Sequence, residues 1–199
     1  MVMMELLEQF DEPTRQLRAL MRRPEEQISV AEAALWVATM EYPRLDRSAY
    51  IARLDALAAP LPERIGAETD PLAIIAAINH RLFEEEGFRG NSEDYYDPRN
   101  SFLNDVMDRR CGIPIMLSTI YLEMAARLNF PLAGVGMPGH YLVRHRYFDI
   151  FIDPFEKGQV LTIEQCQERM HKALGHELPF ERELLEPADR KSTRLNSSH

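Results

Sequence analysis

Hydrophobicity varies most regularly in the range Pro114–Leu128, which reads PIMLSTIYLEMAARL. Its few strongly polar positions are four residues apart and fall on one stripe of a helix: Thr119, Glu123 and Arg127. Glu123 is spaced to form an ion pair with Arg127. A helix that is apolar around most of its circumference is a buried one, so the pattern predicts a central core helix. We expect its apolar side chains to contact the other core elements, namely Ile115, Leu117, Ile120, Tyr121 and Met124.

Two stretches after this helix alternate with the period of a strand, HYLVRH at 140–145 and FDIFID at 148–153. A few residues around His145–Tyr147 join them, which predicts an antiparallel β-hairpin. A two-residue loop puts His140 and Asp153 diagonally adjacent on one face, whereas a three-residue loop turns Asp153 to the other face. We expect the two-residue loop, because it collects the apolar side chains of both strands on the opposite face.

Capping residues predict three helices in the first third of the chain, beginning after Ser29, Asp46 and Asp70 and ending near Tyr42, Ala58 and Gly87. Ser29 and Glu32 have the spacing of a capping box. Residues 1–28 are weakly patterned, and we expect only partial order there. We find no strand signal before about Leu132.

A further helix is predicted after the hairpin, where Thr162 and Gln165 form a second capping box and Gly175 marks the end. The last segment, DRKSTRLNSSH at 189–199, is polar and patternless. It is what one reading frame of a widely used DNA-sequencing adapter encodes. We therefore interpret residues 189–199 as an artefact and exclude them from the fold.

The connection Gly87–Asn100 is long, and such loops are functional, packed on themselves, or disordered. Its aromatic residues argue against disorder, and its Asn and Asp residues are common turn formers. The alternative is that the loop forms a wall of a binding cleft. The candidate binding residues of that cleft are Asn91, Tyr95, Tyr96, Asp97, Asn100, Arg109 and Arg110.

Cys111 precedes the central helix and follows two arginines, and a helix N-terminus with nearby cations favours a reactive thiolate. His140 could act as its base and Asp153 could orient the imidazole. That arrangement would support acyl transfer or amide hydrolysis. The alternative is structural, because a free cysteine commonly behaves as a small buried hydrophobe.

A cysteine before a helix, followed by His and Asp on neighbouring strands, has the chain order of papain-like and transglutaminase-like folds. Three segments, LFEEEGFRGNSEDYYDPRNSFLNDVMDRR, GIPIMLSTIYLEMAARLNFPLAGVGMPGHYLVR and FIDPF, closely resemble the bacterial SirB family, whose N-terminal part is classed as transglutaminase-like. The resemblance runs from about Ala33 to Leu161.

The resemblance implies an α+β fold in which an N-terminal helical bundle packs on a transglutaminase/papain-like core with a central buried helix and a small antiparallel sheet. The expected domain spans residues 29–161, with a helical part at 29–87 and the core at 100–161. SirB-like proteins commonly continue into tetratricopeptide-type repeats. Residues 162–188 are therefore expected to begin a C-terminal helical region.

The same resemblance bears on catalysis. When LEMAARLNFPLAGV is laid on the nucleophile helix of active transglutaminases, their cysteine falls near Pro114 and not at Cys111. Many members of the family also lack a cysteine at this position. This favours a non-catalytic binding or regulatory scaffold. The alternative is a cysteine-dependent hydrolase or acyltransferase that uses Cys111, His140 and Asp153.

Charge and composition limit the classes of partner that the protein can have. The chain has 23 Lys and Arg against 32 Asp and Glu, a net charge of −9, and no basic run, which argues against nucleic acid. No apolar run has membrane-spanning length, and the first residues are acidic where a secretory signal is basic. The histidines and the two cysteines, Cys111 and Cys166, show no metal-ligand spacing. We expect a cytoplasmic protein with a protein or peptide partner, no metal and no cofactor.

Overall fold

The computed structural model of the chain describes residues 12–24, 28–174 and 182–187. Within these ranges the fold is α+β, as predicted, with helices around one small antiparallel sheet. The interpretation of residues 189–199 as an artefact concerns positions outside the described residues, and so does Gly175. No helix in the described ranges has the length and apolarity to cross a membrane.

The N-terminal helices begin where the sequence supplies caps. The backbone N–H groups of Glu32, Ala49 and Leu72 donate to the side chains of Ser29, Asp46 and Asp70. Residues 12–20 form helix α1, and its Leu20 is buried although the sequence pattern there is weak. The other helices are α2 (Val30–Glu41), α3 (Arg47–Ala58), α4 (Leu61–Ile65) and α5 (Pro71–Asn79), which continues as a π-helix over His80–Glu85.

The central helix, α7 (Pro114–Arg127), follows a short helix α6 (Leu103–Arg109). The predicted ion pair is present, with 2.6 Å between Arg127 Nη1 and Glu123 Oε2. Glu123 also accepts hydrogen bonds from Ser29 Oγ and the Ala31 N–H, so it fastens α2 to α7. One expected core contact is wrong, because Ile115 is 41% exposed. It lies in the first turn of α7, on a side that no element of the described ranges covers.

Four antiparallel strands form the sheet in the order β3 (Leu132–Met137), β4 (His140–His145), β5 (Phe151–Asp153) and β6 (Gln159–Leu161). The predicted two-residue loop is wrong. Val143 pairs with Ile152, and residues 146–150 form a longer loop closed by a bond from the His145 N–H to the Ile150 carbonyl. The observed pairing is shifted from the expected one by an even number of residues, so His140 and Asp153 still share one face.

A second, parallel pair of strands, β1 (Arg89–Gly90) and β2 (Cys111–Gly112), has no counterpart among the predicted elements. The prediction of no strand before Leu132 is therefore wrong, because two residues are too few to show an alternating pattern. The pair holds Cys111 beside Arg89. Gly90 is needed here, since a Cβ atom at this position would lie 2.7 Å from the Phe155 ring.

The two faces of the four-stranded sheet contact different helices. Val143 and Ile152 join α7 and the N-terminal helices in the main core. Leu142 and Phe151, on the other face, form a second core with Cys166 and other residues of helix α8 (Ile163–Leu174). The predicted capping box opens α8, with reciprocal bonds between Thr162 and Gln165. Burial raises the pKa of the Cys166 thiol to about 11, so this cysteine is a core residue.

Candidate functional site

The candidate site centres on His140, at the start of β4, and Asp153, at the end of β5. His140 Nε2–H donates to Asp153 Oδ2 at 2.8 Å. Asp153 is fully buried, and the His140 side chain is 16% exposed. In the observed strand pairing His140 and Asp153 lie diagonally on the same face of the sheet, so the predicted His–Asp contact is present.

A third residue completes this pair. Arg169 Nη1 of α8 donates to Asp153 Oδ2 at 2.6 Å, and Arg169 Nη2 donates to Gln159 Oε1 at 2.6 Å. Asp153 Oδ1 accepts the backbone N–H groups of Phe155 and Glu156 at 3.1 and 3.4 Å. The buried carboxylate is therefore fully paired. No sequence pattern indicates Arg169, because its role depends on how α8 packs on the sheet.

Cys111 is not part of this hydrogen-bonded group. It is 5% exposed and lies in β2, and within the described ranges no hydrogen bond joins it to His140. The helix that Cys111 precedes packs on the face of the sheet carrying Val143 and Ile152. His140 and Asp153 belong to the opposite face. Of the three predicted catalytic residues, the structure joins two.

A series of aromatic rings extends from His140 to the 87–100 loop. The ring centroids of His140 and Phe155 are 6.1 Å apart, those of Phe155 and Tyr95 are 6.2 Å apart, and those of Tyr95 and Tyr96 are 5.5 Å apart. All three contacts are edge-to-face, an arrangement that stabilises aromatic pairs. Tyr95 is 41% exposed and Tyr96 is 91% exposed. The series therefore ends in an accessible aromatic surface.

The polar residues of the loop make internal contacts. Asn91 Nδ2 donates to Asn100 Oδ1 at 3.0 Å, and Asn100 Nδ2 donates to the Asp94 carbonyl at 2.7 Å. Asp97 caps the 3₁₀ turn Pro98–Ser101 and forms an ion pair with Arg109 Nη2 at 3.0 Å. Asn91, Asp97 and Asn100 are buried, so turn formation accounts for them.

Ion pairs and hydrogen bonds to charged groups stabilise this loop. Hydrogen bonds from Arg99 to Asp97, and then the charges of Arg99 and Arg109, lower the pKa of the Asp97 carboxyl to about 2. Arg110 has a positive φ of 57°, forms an ion pair with Glu86 at 2.8 Å, and lies over the Phe88 ring. Of the predicted binding residues, Tyr95 and Tyr96 remain the most open to a partner.

Metal binding has no support in the described part of the chain. No group of three or more His, Cys, Asp or Glu side chains there is placed to hold a metal ion. The cation that Asp153 contacts is the guanidinium of Arg169.

Comparisons with known proteins place the chain among bacterial relatives. It is 40% identical to a UPF0162 protein of Xylella fastidiosa over 177 residues, 84% of this chain and 62% of that relative. It is 33% identical to a UPF0162 protein of Pseudomonas aeruginosa over 147 residues, 72% of this chain and 53% of that relative. The chain thus spans less than two thirds of these relatives.

A more distant kind of protein shares part of the same region. F-box only protein 21 of Mus musculus is 39% identical over 104 residues, which is 47% of this chain and 17% of that protein. No solved structure matches the chain. The family model of the transglutaminase-like superfamily matches residues 48–194, most of the sequence. With this match and an α+β core built on a central helix and a small sheet, the chain belongs to the transglutaminase-like superfamily.

Proposed function

We propose that this chain is a non-catalytic binding or regulatory scaffold of the SirB type, acting in the cytoplasm on a protein or peptide partner. Tetratricopeptide-type repeats following the domain belong to the same proposal. The relatives are longer than the chain, as expected for a domain that works beside further segments. The SirB assignment within the superfamily and the protein or peptide partner are both parts of this proposal.

One observation carries the non-catalytic part. His140 and Asp153 lie on the sheet face that α8 covers, whereas α7, the helix that follows Cys111, packs on the other face. A thiol nucleophile needs its base within hydrogen-bond reach, with some loosening in a ligand-free enzyme. Arg169 also shares the Asp153 carboxylate, an interaction that holds α8 on the sheet. This arrangement supports a structural role for the pair.

The binding part is supported by the surface beside the pair. Tyr95 and Tyr96 project from a loop that buried Asn and Asp side chains hold in place. Tyrosine is enriched in interaction surfaces because its ring buries a large apolar area while its hydroxyl stays hydrated. A rigid loop carrying exposed tyrosines loses little entropy when a partner binds.

The second candidate is a cysteine-dependent hydrolase or acyltransferase, which the 2.8 Å bond between His140 and Asp153 favours. In that mechanism Cys111 would pass its proton to His140 and attack a substrate carbonyl, while Asp153 would orient the imidazole. The reaction would require His140 and Cys111 to approach each other when substrate binds.

Alkylation of Cys111 separates the two candidates. Iodoacetamide labelling is followed from pH 5 to 10 by peptide mass spectrometry, which distinguishes Cys111 from Cys166. For a scaffold we expect the same pH midpoint in wild type and His140→Ala, because the thiol has no catalytic base. A midpoint that rises by a unit or more in His140→Ala would support the hydrolase and overturn the scaffold.

Binding is tested on the aromatic surface. Proteins that co-purify with the tagged chain are quantified for wild type, for Tyr95→Ala/Tyr96→Ala, and for Tyr147→Ala as a control. Tyr147 serves as the control because it is 75% exposed and belongs to a different loop, 146–150. We expect one or more partners to be lost only in the double variant. Equal recovery from all three proteins would contradict the proposed surface.

A further inference from the structure

A cavity of about 670 Å³ lies beside the His140–Asp153 pair. Its walls come from α8, from the turn between β3 and β4, and from the segment around β6. A volume of this size is typical of small-ligand sites. Leu161 gives the cavity an apolar part, and most of its other lining side chains are polar. Cys111 does not line it.

Side chains of opposite charge line the cavity and form no ion pair within the described ranges. Glu168 and Lys172 are four residues apart on α8, the spacing and order at which Glu and Lys commonly form an ion pair. Both line the cavity, and in the described part of the chain neither forms an ion pair. The same holds for Glu156, which also lines the cavity. Both signs of charge are therefore available to a ligand.

Arg169 can also donate to a ligand anion. A guanidinium has five N–H donors, and the contacts to Asp153 and Gln159 hold Arg169 in a fixed position while using two of them. His140 donates Nε2–H to Asp153, so Nδ1 of the neutral ring is an acceptor and is not counted among the donors to an anion. Arg169 and Lys172 are three residues apart and share one face of α8. They place two positive charges in the lining of the cavity.

We propose that this cavity binds short peptides of two or three residues that carry both a free ammonium and a free carboxylate. The carboxylate contacts Lys172 and Arg169, and the ammonium contacts Glu168 and Glu156. The pairing of both signs distinguishes this ligand from a simple anion and from an internal segment of a protein. The inference rests on the proposed function, since it names the ligand of a site that binds without cleaving.

The test is isothermal titration calorimetry of the whole chain with trialanine and with N-acetyl-trialanine amide. We expect binding of trialanine and at least a tenfold weaker affinity for the blocked peptide, because blocking removes both charges. Lys172→Gln and Glu168→Gln should each weaken trialanine binding about tenfold, as expected for loss of one charged contact. Added salt should weaken it as well.

Glu164→Gln is the matched control, since Glu164 lies one turn earlier on α8 and does not line the cavity. It should leave the affinity for trialanine unchanged. These substitutions replace surface charges by isosteric or similar polar groups, and circular dichroism verifies the fold of each variant. Equal weakening by Glu164→Gln and Glu168→Gln would overturn the assigned contacts.

The remaining outcomes separate this inference from the proposed function. No binding of trialanine to wild type, or equal binding of the blocked peptide, would overturn the inference and leave the tyrosine-surface test to decide the proposed function. Mass spectrometry of the titrated peptide tests the proposed function separately from the inference. Cleavage products that disappear in Cys111→Ala would refute the non-catalytic function, and because Cys111 does not line the cavity, the Lys172→Gln and Glu168→Gln affinities would still decide the inference.

Discussion

Replacing Arg169 by Gln should measurably destabilise the protein, because it removes the cation that pairs with a fully buried carboxylate. Asp153 would retain His140 and two backbone N–H groups. Breaking a wholly buried ion pair costs about 3–5 kcal/mol. The Arg169 side chain is 28% exposed, so water can replace part of the lost interaction. We therefore expect a loss of about 1.5–3 kcal/mol, the range for a hydrogen bond to a charged group.

Urea denaturation measures this loss as a lower midpoint with an unchanged slope. Arg169→Lys is the control for charge, and it should fall between wild type and Arg169→Gln because it keeps the cation without the planar fork. A double-mutant cycle with Asp153→Asn isolates the pair, and we expect a coupling energy of about 1 kcal/mol or more. A loss below about 0.5 kcal/mol in Arg169→Gln would refute the assignment of Arg169 as the anchor of α8.

Four other outcomes follow from the structure. Ile120→Ala should cost about 2–5 kcal/mol in urea denaturation, since Ile120 is 1% exposed in the main core, and a loss under about 1 kcal/mol would mean that the core is elsewhere. Gly90→Ala should lower the melting temperature at a cost of about 1–3 kcal/mol by displacing the Phe155 ring, and an unchanged melting temperature would contradict that contact. The stability advantage of wild type over Asp97→Asn should be complete above about pH 4 and disappear as the pH falls to about 2, because the pKa of Asp97 is depressed in the folded state; an advantage independent of pH in urea titrations would exclude this origin. Deleting residues 189–199 should leave the melting temperature unchanged, and a drop of several degrees would contradict their interpretation as an artefact.

Local interactions explain what the sequence predicted. The caps at Ser29, Asp46 and Asp70 and the ion pair of Glu123 with Arg127 join residues no more than four positions apart. Such contacts depend on the helix itself and not on the rest of the fold. Strand alternation is local as well, but His140 and Asp153 were expected on one face only because the apolar side chains of both strands then collect on the other face.

Long-range packing explains what the sequence could not predict. The contact of Arg169 with Asp153 exists only because α8 covers the second face of the sheet. The β1–β2 pair is too short to leave a periodic signal. The predicted hairpin loop is too short because the alternating pattern continues through Phe148 and Ile150. In the structure the backbone bond from His145 to Ile150 closes the loop before those residues join a strand.

The bond between Asn91 and Asn100 brings the two ends of their loop together independently of the residues between them. Closing a longer loop costs little, about 0.6 kcal/mol for each doubling of its length. Ser92 and Glu93 are exposed at the near end of this closed segment. An epitope or fluorescent-label sequence inserted between them would therefore leave the central helix in place. A fluorescent label at this point would lie two residues before Tyr95, so its emission would respond to any molecule that covers the exposed tyrosines.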